Sequence, residues 1–376
     1  MWNKKRTHAL LMIEIWASFL VLFGLTSLMV YNVRNYLQPI GFSYDNVWAI
    51  NLENNQDTTA LAEKAQNIWQ RLKGYAEVES VSRMSNNFPF SQNTMNGNVD
   101  YEKRAAMVHF FRTDEHFAQT LNMPVLEGRW YRSADSVGKY TPTVINQKAR
   151  EELFGDENPI GKILSENRRV VGVVGNFKSK GEYMTNTGAV FDLLDAGSGW
   201  DRTMLLRVKP GTDAVFEARL VKDITMIAKG WSVEVNYLAD SRKTQHNVTL
   251  VPVIIFLIIS AFLLINVALG LFGVLNVSIT KRRGEIGLRR AMGATGNNIS
   301  GQFVGEIWVL ATFAMLVGLL FAVQFPLMNV FDVEAGVYVM AILASVVVIY
   351  LIVTLCAFYP SRQAAAVQPA VALHEE

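Results

Sequence analysis

The chain has 376 residues, 51% hydrophobic and 18% charged, with a net charge of +2. That near balance excludes a broad basic surface for nucleic acid, and the apolar fraction excludes disorder as the dominant state. The charge is unevenly spread: Ile15–Val33, Val248–Thr280, Ile307–Phe331 and Ala335–Ser361 hold no Asp, Glu, Lys or Arg over 19, 33, 25 and 27 residues, and the remainder carries all 35 Lys/Arg and 33 Asp/Glu.

Each stretch is long enough for a helix across a hydrocarbon core of about 30 Å. The N-tail, residues 1–8, carries Lys4, Lys5 and Arg6, and residues 9–33 read as the first membrane helix. A signal peptide would share the basic start. The apolar run is longer than a usual h-region and no small-x-small cleavage site follows it, so a retained anchor is the better reading. Glu14, near the inner end, reads as an interfacial carboxylate within reach of headgroups.

Residues 34–247 alternate strand and helix signals. Strands are expected at Val47–Leu52, Val78–Met84, Thr143–Asn146, Arg169–Val174, Ala189–Leu194, Met204–Val208 and Ser232–Tyr237. Helices are expected at Asp57–Gly74, Ala149–Phe154 and Asp213–Lys229, two of them with apolar residues at helical spacing. This is an α+β extracytoplasmic domain. The expected split is one lobe of 45–118 with 203–240 and an inserted lobe of 119–202. The domain holds no cysteine; the single one, Cys356, falls in the fourth apolar stretch and reads as a small packing residue.

The second span, 248–280, makes a helix of roughly 50 Å, more than a bilayer needs. Its polar residues Asn266 and Asn276 sit near Gly270 and Gly273. Two readings stay open there: packing within the chain, or a dimer interface along the helix. The third and fourth spans, 307–331 and 337–358, are joined by a short outer turn at 332–336 and read as a helical hairpin. Lys281, Arg282, Arg283, Arg289 and Arg290 lie in the 281–306 loop, and Arg362 in the 359–376 tail. With the N-tail they set both termini and that loop in the cytoplasm. The fold class is therefore an integral membrane protein of four transmembrane helices with a large two-lobed α+β extracytoplasmic domain.

Chemistry is sparse. Gly155 to Gly161 followed by Lys162-Ile163 has five residues between its glycines and no hydroxyl after the lysine, so it fails as a phosphate-binding loop and reads as a turn. His8, His109, His116, His246 and His374 show no metal-ligand spacing. Gly197-Ser198-Gly199 lacks the nucleophile elbow. No catalytic, metal or cofactor site is expected, and no chain of carboxylates suggests ion-driven transport. In the 281–306 loop, Leu288, Ala291, Met292 and Thr295 share one small helical face and Glu285 can pair with Arg289 four residues on. A basic helix resting on anionic lipid explains the arginines. It leaves Glu285 and the small residues Gly287, Gly293 and Ala294 unexplained, which suit a helix docking into a protein groove.

The run Arg283-Gly284-Glu285-Ile286-Gly287-Leu288-Arg289-Arg290-Ala291-Met292-Gly293-Ala294 resembles the signature of FtsX-like ABC transporter permeases of the MacB type. Glu127-Gly128-Arg129-Trp130-Tyr131, then Phe154-Gly155 through Pro159-Ile160-Gly161-Lys162, resemble the outer domain of that family. Tyr359-Pro360, Arg362, Ala364-Ala365, Pro369 and Ala372-Leu373 resemble its tail. The resemblance implies that residues 285–294 (Glu285, Ile286, Gly287, Leu288, Arg289, Arg290, Ala291, Met292, Gly293, Ala294) form the coupling helix against an ATPase. MacB itself carries an N-terminal ATPase domain, whereas this sequence starts at the first span. A stand-alone permease subunit is therefore expected, with a separate cytoplasmic ABC ATPase, a second permease copy or a homologous permease as dimer partner, and membrane lipid as partners, in the bacterial inner membrane. A periplasmic adaptor and an outer-membrane channel are compatible with it. The implied function is ATP-driven export by mechanotransmission; lipoprotein release and signalling to an extracytoplasmic partner share the same architecture.

Overall fold

The computed structural model describes residues 2–195 and 202–365. Ser198 and its flanking glycines, His374 and the Pro369 to Leu373 part of the tail lie outside them. In chain order the elements are α1 (Trp2–Tyr36), β1 (Val47–Glu53), α2 (Leu61–Lys73), β2 (Val78–Met84), β3 (Asn96–Tyr101), β4 (Arg104–Thr113), α3 (Phe117–Thr120), β5 (Val125–Gly128), β6 (Thr141–Asn146), α4 (Gln147–Phe154), β7 (Ile163–Leu164), β8 (Arg168–Val174), β9 (Gly188–Leu193), β10 (Thr203–Val208), α5 (Ala214–Ile227), β11 (Ser232–Tyr237), α6 (Leu238–Lys281), α7 (Arg283–Ala291), α8 (Gly296–Ala322), α9 (Gln324–Leu327) and α10 (Ala335–Ala365). They form two compact units, Met1–Arg34 with Leu250–Glu376, and Asn35–Thr249.

Four helices, Ala9–Tyr36, Leu238–Lys281, Gly296–Leu327 and Ala335–Phe358, are long and apolar enough to cross a membrane. The helices overrun the charge-free stretches: α6 starts at Leu238, directly after β11, and α8 at Gly296, behind its Thr295 cap. Leu11, Ile15, Phe19 and Leu22 of α1 share a core with Val267, Leu271, Leu275 and Ile279 of α6 and with Ile307, Ala311, Ala314 and Met315 of α8. Repeats of three and four residues give each helix one buried stripe. Gly318 of α8 admits the Phe19 ring, which a Cβ there would meet at 2.4 Å. Hydroxyls stitch the helices together: Thr26 to Ser345 at 2.7 Å, Thr312 to Tyr350 at 2.7 Å, and Trp308 Nε1 donating to Thr354 at 2.9 Å.

The second unit is built on one eleven-stranded sheet ordered β11-β1-β10-β2-β4-β9-β6-β8-β5, with β3 on β4 and β7 on β8. The β4–β9 and β6–β8 pairs are parallel and the others antiparallel. Alternate residues of β1 serve two cores. Trp48, Ile50 and Leu52 pack with Ile68 and Leu72 of α2 and with Phe216, Leu220 and Ile224 of α5, while Val47 and Ala49 join the aromatic cluster of Phe111, Phe117, Phe177 and Phe191. A third core sets Ala149, Leu153 and Phe154 of α4 against Val108, Ile145 and Val190.

Three expectations change. The sequence reading omits β3, β4, β5 and β7. It also places 96–113 in lobe one, whereas β4 touches β2 at one pair, Met84 with Thr113, and runs beside β9 over six. The helix expected from Asp57 starts at Leu61, because the Asp57 carboxylate closes a turn on the Thr59 amide and hydroxyl and on Lys64.

Candidate functional site

The loop between α6 and α8 is built from two helix ends. Lys281 closes α6, and Arg282, at φ −111° and ψ 16°, breaks the helical path before α7. The segment expected to be helical through Ala294 stops at Ala291. The Ala294 amide donates back to the Arg289 carbonyl at 2.9 Å and the Gly293 amide to the Arg290 carbonyl at 3.1 Å, with Gly293 at φ +95°. This is a Schellman ending, which explains the glycine: its left-handed backbone disfavours a Cβ. Thr295 then caps α8, its hydroxyl accepting from the Asn298 amide at 3.3 Å. Thr295 therefore lies beyond the helix whose face it was expected to extend.

One side of α7 is spent on the chain itself. Ile286 and Gly287 are buried, and Ile286 shares a core with Ile299 and Phe303 of α8. A run of charge-assisted hydrogen bonds holds the same side. Arg289 donates to Glu285 at 2.6 Å and to Gln302 at 2.6 Å, Gln302 donates to Glu306 at 3.2 Å, and Arg282 Nη1 donates to both Glu306 oxygens at 2.9 and 3.0 Å. The opposite side is open: Leu288 is 52% exposed and Met292 72%, with Ala291 and Gly293 exposed beside them. Arg290 and Ala294 are half-buried. Arg282, Gln302 and Glu306 complete this network; the sequence reading names Arg282 only among the loop's basic residues and does not name Gln302 or Glu306. Their signal is the spacing of Gln302 and Glu306, four apart at the polar entry to the third apolar stretch.

The four residues weighed on span two separate. Gly270 faces α1, where a Cβ would stand 2.8 Å from a Glu14 carboxylate oxygen and 3.3 Å from Leu11. Glu14, read as interfacial, thus packs into the gap that Gly270 leaves. Asn276 is half-buried, and its carbonyl accepts from the Thr280 hydroxyl at 2.9 Å. Asn266 is exposed, its amide returning to the Phe262 carbonyl at 2.8 Å, and Gly273 has nothing within 4 Å of a Cβ.

The rejected phosphate loop is a turn with Gly155 at φ +61° and Gly161 at φ +83°, closed by an ion pair of Lys162 with Glu157. His116 stacks on Trp69 at 6.1 Å. Asp114 is buried, accepting from the Ser82 hydroxyl at 2.7 Å and the Arg83 amide at 2.9 Å; burial pushes its carboxyl up. No group of three or more His, Cys, Asp or Glu able to hold a metal occurs among the described residues.

Comparison with known proteins places the chain in a family. Residues 15–222 match the MacB-like periplasmic core domain and residues 257–369 the FtsX-like permease C-terminal domain. The chain is 28% identical over 304 residues to the macrolide export ATP-binding/permease protein MacB of Hahella chejuensis, covering 73% of this chain. It is 25% identical over 314 residues to the pyoverdine export ATP-binding/permease protein PvdT of Pseudomonas syringae pv. tomato, a match over 74% of this chain. It spans 44% of the length of each of these relatives. The periplasmic region of MacB from Actinobacillus actinomycetemcomitans is a solved neighbour at 15% identity and TM-score 0.41, matched over 56% of this chain and 98% of that one. The chain belongs to the FtsX-like, MacB-type family of ABC transporter permeases.

Proposed function

We propose that the chain is the permease subunit of an ATP-driven exporter and carries the motion of a separate cytoplasmic ATPase to its own outer unit, with both termini and α7 on the cytoplasmic side of the inner membrane. The observation that carries this reading is α7: one side fastened to α8 and the other left open as a small apolar face of Leu288, Ala291 and Met292. A lipid-resting helix would present its arginines and its apolar face together. Here Arg289 is turned onto α8, which suits a fixed knob entering a protein groove. The chain's relatives are macrolide and pyoverdine export proteins, which supports export as the direction of transport. A second permease copy is part of the proposal, seated on the open side of α6, in contact with lipid elsewhere. An adaptor and an outer-membrane channel would complete the path.

The test is purification of the full chain from its native membranes. An ABC ATPase identified by mass spectrometry, with ATP hydrolysis in the preparation, is the expected result. Leu288→Glu with Met292→Glu should lower the ATPase recovered at least tenfold while circular dichroism stays unchanged. Full retention of the ATPase by that variant would show that α7 is not the docking helix.

A further inference from the structure

The segment between β8 and β9 is polar and yet enclosed. Phe177 and Lys178 are fully buried and Ser179 nearly so. The Lys178 ammonium donates to the Asn35 carbonyl at 2.5 Å and to the Glu182 carbonyl at 2.8 Å. Asn35 lies in the last turn of α1, whose final carbonyls lack partners within the helix and favour a cation. The same turn is gripped twice more. The Asn35 side-chain amide donates to the Tyr183 carbonyl at 3.1 Å, and the Tyr36 and Tyr183 rings pack at 5.5 Å.

Four residues after Lys178, the Glu182 carboxylate takes two partners from another helix. Arg242 Nε donates to one oxygen at 2.6 Å and His246 Nε2 to the other at 2.6 Å. Arg242 and His246 are four apart in α6 and so share a face. Tyr183 completes the contact, its ring 5.0 Å from the His246 imidazole. One short loop therefore holds the end of α1 with Lys178 and the beginning of α6 with Glu182.

We infer that Phe177–Met184 is a yoke, with Lys178 and Glu182 as positioning residues that bind the end of α1 and the first turns of α6 to the outer sheet as one body. This rests on the permease reading above and deepens it: α6 already runs on from β11, and the loop adds a clamp that ties the end of α1 to the start of α6, so that motion of one helix end is passed to the other. Neither residue acts on a substrate.

Hydrogen exchange on the full chain in lipid nanodiscs tests it. Lys178→Met should raise exchange at amides 238–249 as well as 34–38, and Glu182→Gln should raise 34–38 as well as 238–249, each at least tenfold. Amides of β1 and β10 should be unchanged and report that the unit is folded. If the loop variants fail that control, Arg242→Gln with His246→Gln poses the same question from α6 and should again raise exchange at 34–38. Loosening confined to the helix whose own contact was cut overturns the yoke. Recovery of the ATPase with these variants separates this result from the permease assignment, which they leave untouched.

Discussion

A lysine enclosed by protein is a thermodynamic liability, and Lys178 shows how it is limited. Both its hydrogen bonds go to carbonyls, of Asn35 and Glu182, and a neutral amine still has two N–H groups to serve them. Burial pulls the amine down to about 8, against a smaller opposing pull from the Glu182 charge. Between pH 8 and its ordinary value of about 10.4 the unfolded chain keeps the proton and the folded chain releases it. Stability from this group therefore rises with pH across that window, by at most about 1.4 kcal/mol per unit. Thermal unfolding of the wild type relative to Lys178→Met should show that gain between pH 8 and 10; a flat difference would show that Lys178 does not titrate there. Gly318 is a second residue whose identity is fixed by a neighbour. A methyl at 2.4 Å from the Phe19 ring forces overpacking in a close-packed helix crossing, worth about 1–3 kcal/mol. Gly318→Ala should lower the melting temperature in detergent, while Gly273→Ala, with open space around it, should leave it unchanged.

At the scale of elements, α7 is too short to stand alone: a nine-residue helix is marginal in water. Its persistence is assigned to Ile286 and to the polar run through Arg289, Gln302, Glu306 and Arg282. Removing the charged acceptor with Glu306→Ala costs about 1.5–3 kcal/mol. Local opening should rise more than tenfold, read as faster tryptic cleavage after Arg289 and Arg290 in the full chain. The spacing of Glu285 and Arg289 makes their pair legible in the sequence, because a helix brings positions four apart together. The Gln302 and Glu306 links are not legible, since they come from a different helix across a break at Gly293. The sheet divides in the same way. β1 and β2 read directly from runs such as Val47–Leu52. β3, Asn96–Tyr101, is written in Asn, Gly and Asp, poor strand formers, and is a strand because six residues pair with β4. The parallel pairing of β4 with β9 joins segments some eighty residues apart, a distance over which local pattern carries no information.

Across the whole molecule, charge-free stretches announce the four spans, yet the spans are not equal. Buried residues make up 39%, 33% and 22% of the most apolar windows of α1, α8 and α10, but 6% of that of α6. Phe262, Asn266, Leu269 and Gly273, spaced by four, three and four, form an exposed stripe on α6. In lipid an apolar stripe needs no cover, but the Asn266 amide gains from a neighbouring helix, and Gly273 lets one approach closely. Gly270, only three residues from Gly273, already serves contact with α1 through Glu14 and Leu11. Gly270 therefore lies inside the contact with α1 and Gly273 just beyond its edge, and a second copy on α6 would approach on the Gly273 side. Cysteine cross-linking separates them cleanly, because Cys356 is the single cysteine of the chain and Cys356→Ser leaves no other thiol. In that background Gly273→Cys should give a disulfide-linked dimer on mild oxidation in membranes, since a bridge forms only when two Cα atoms come within about 7 Å. Leu264→Cys, placed at a residue packed against the chain's own core, should stay monomeric. A dimer from Leu264→Cys in preference to Gly273→Cys would place the second copy elsewhere and leave the Asn266 stripe facing lipid.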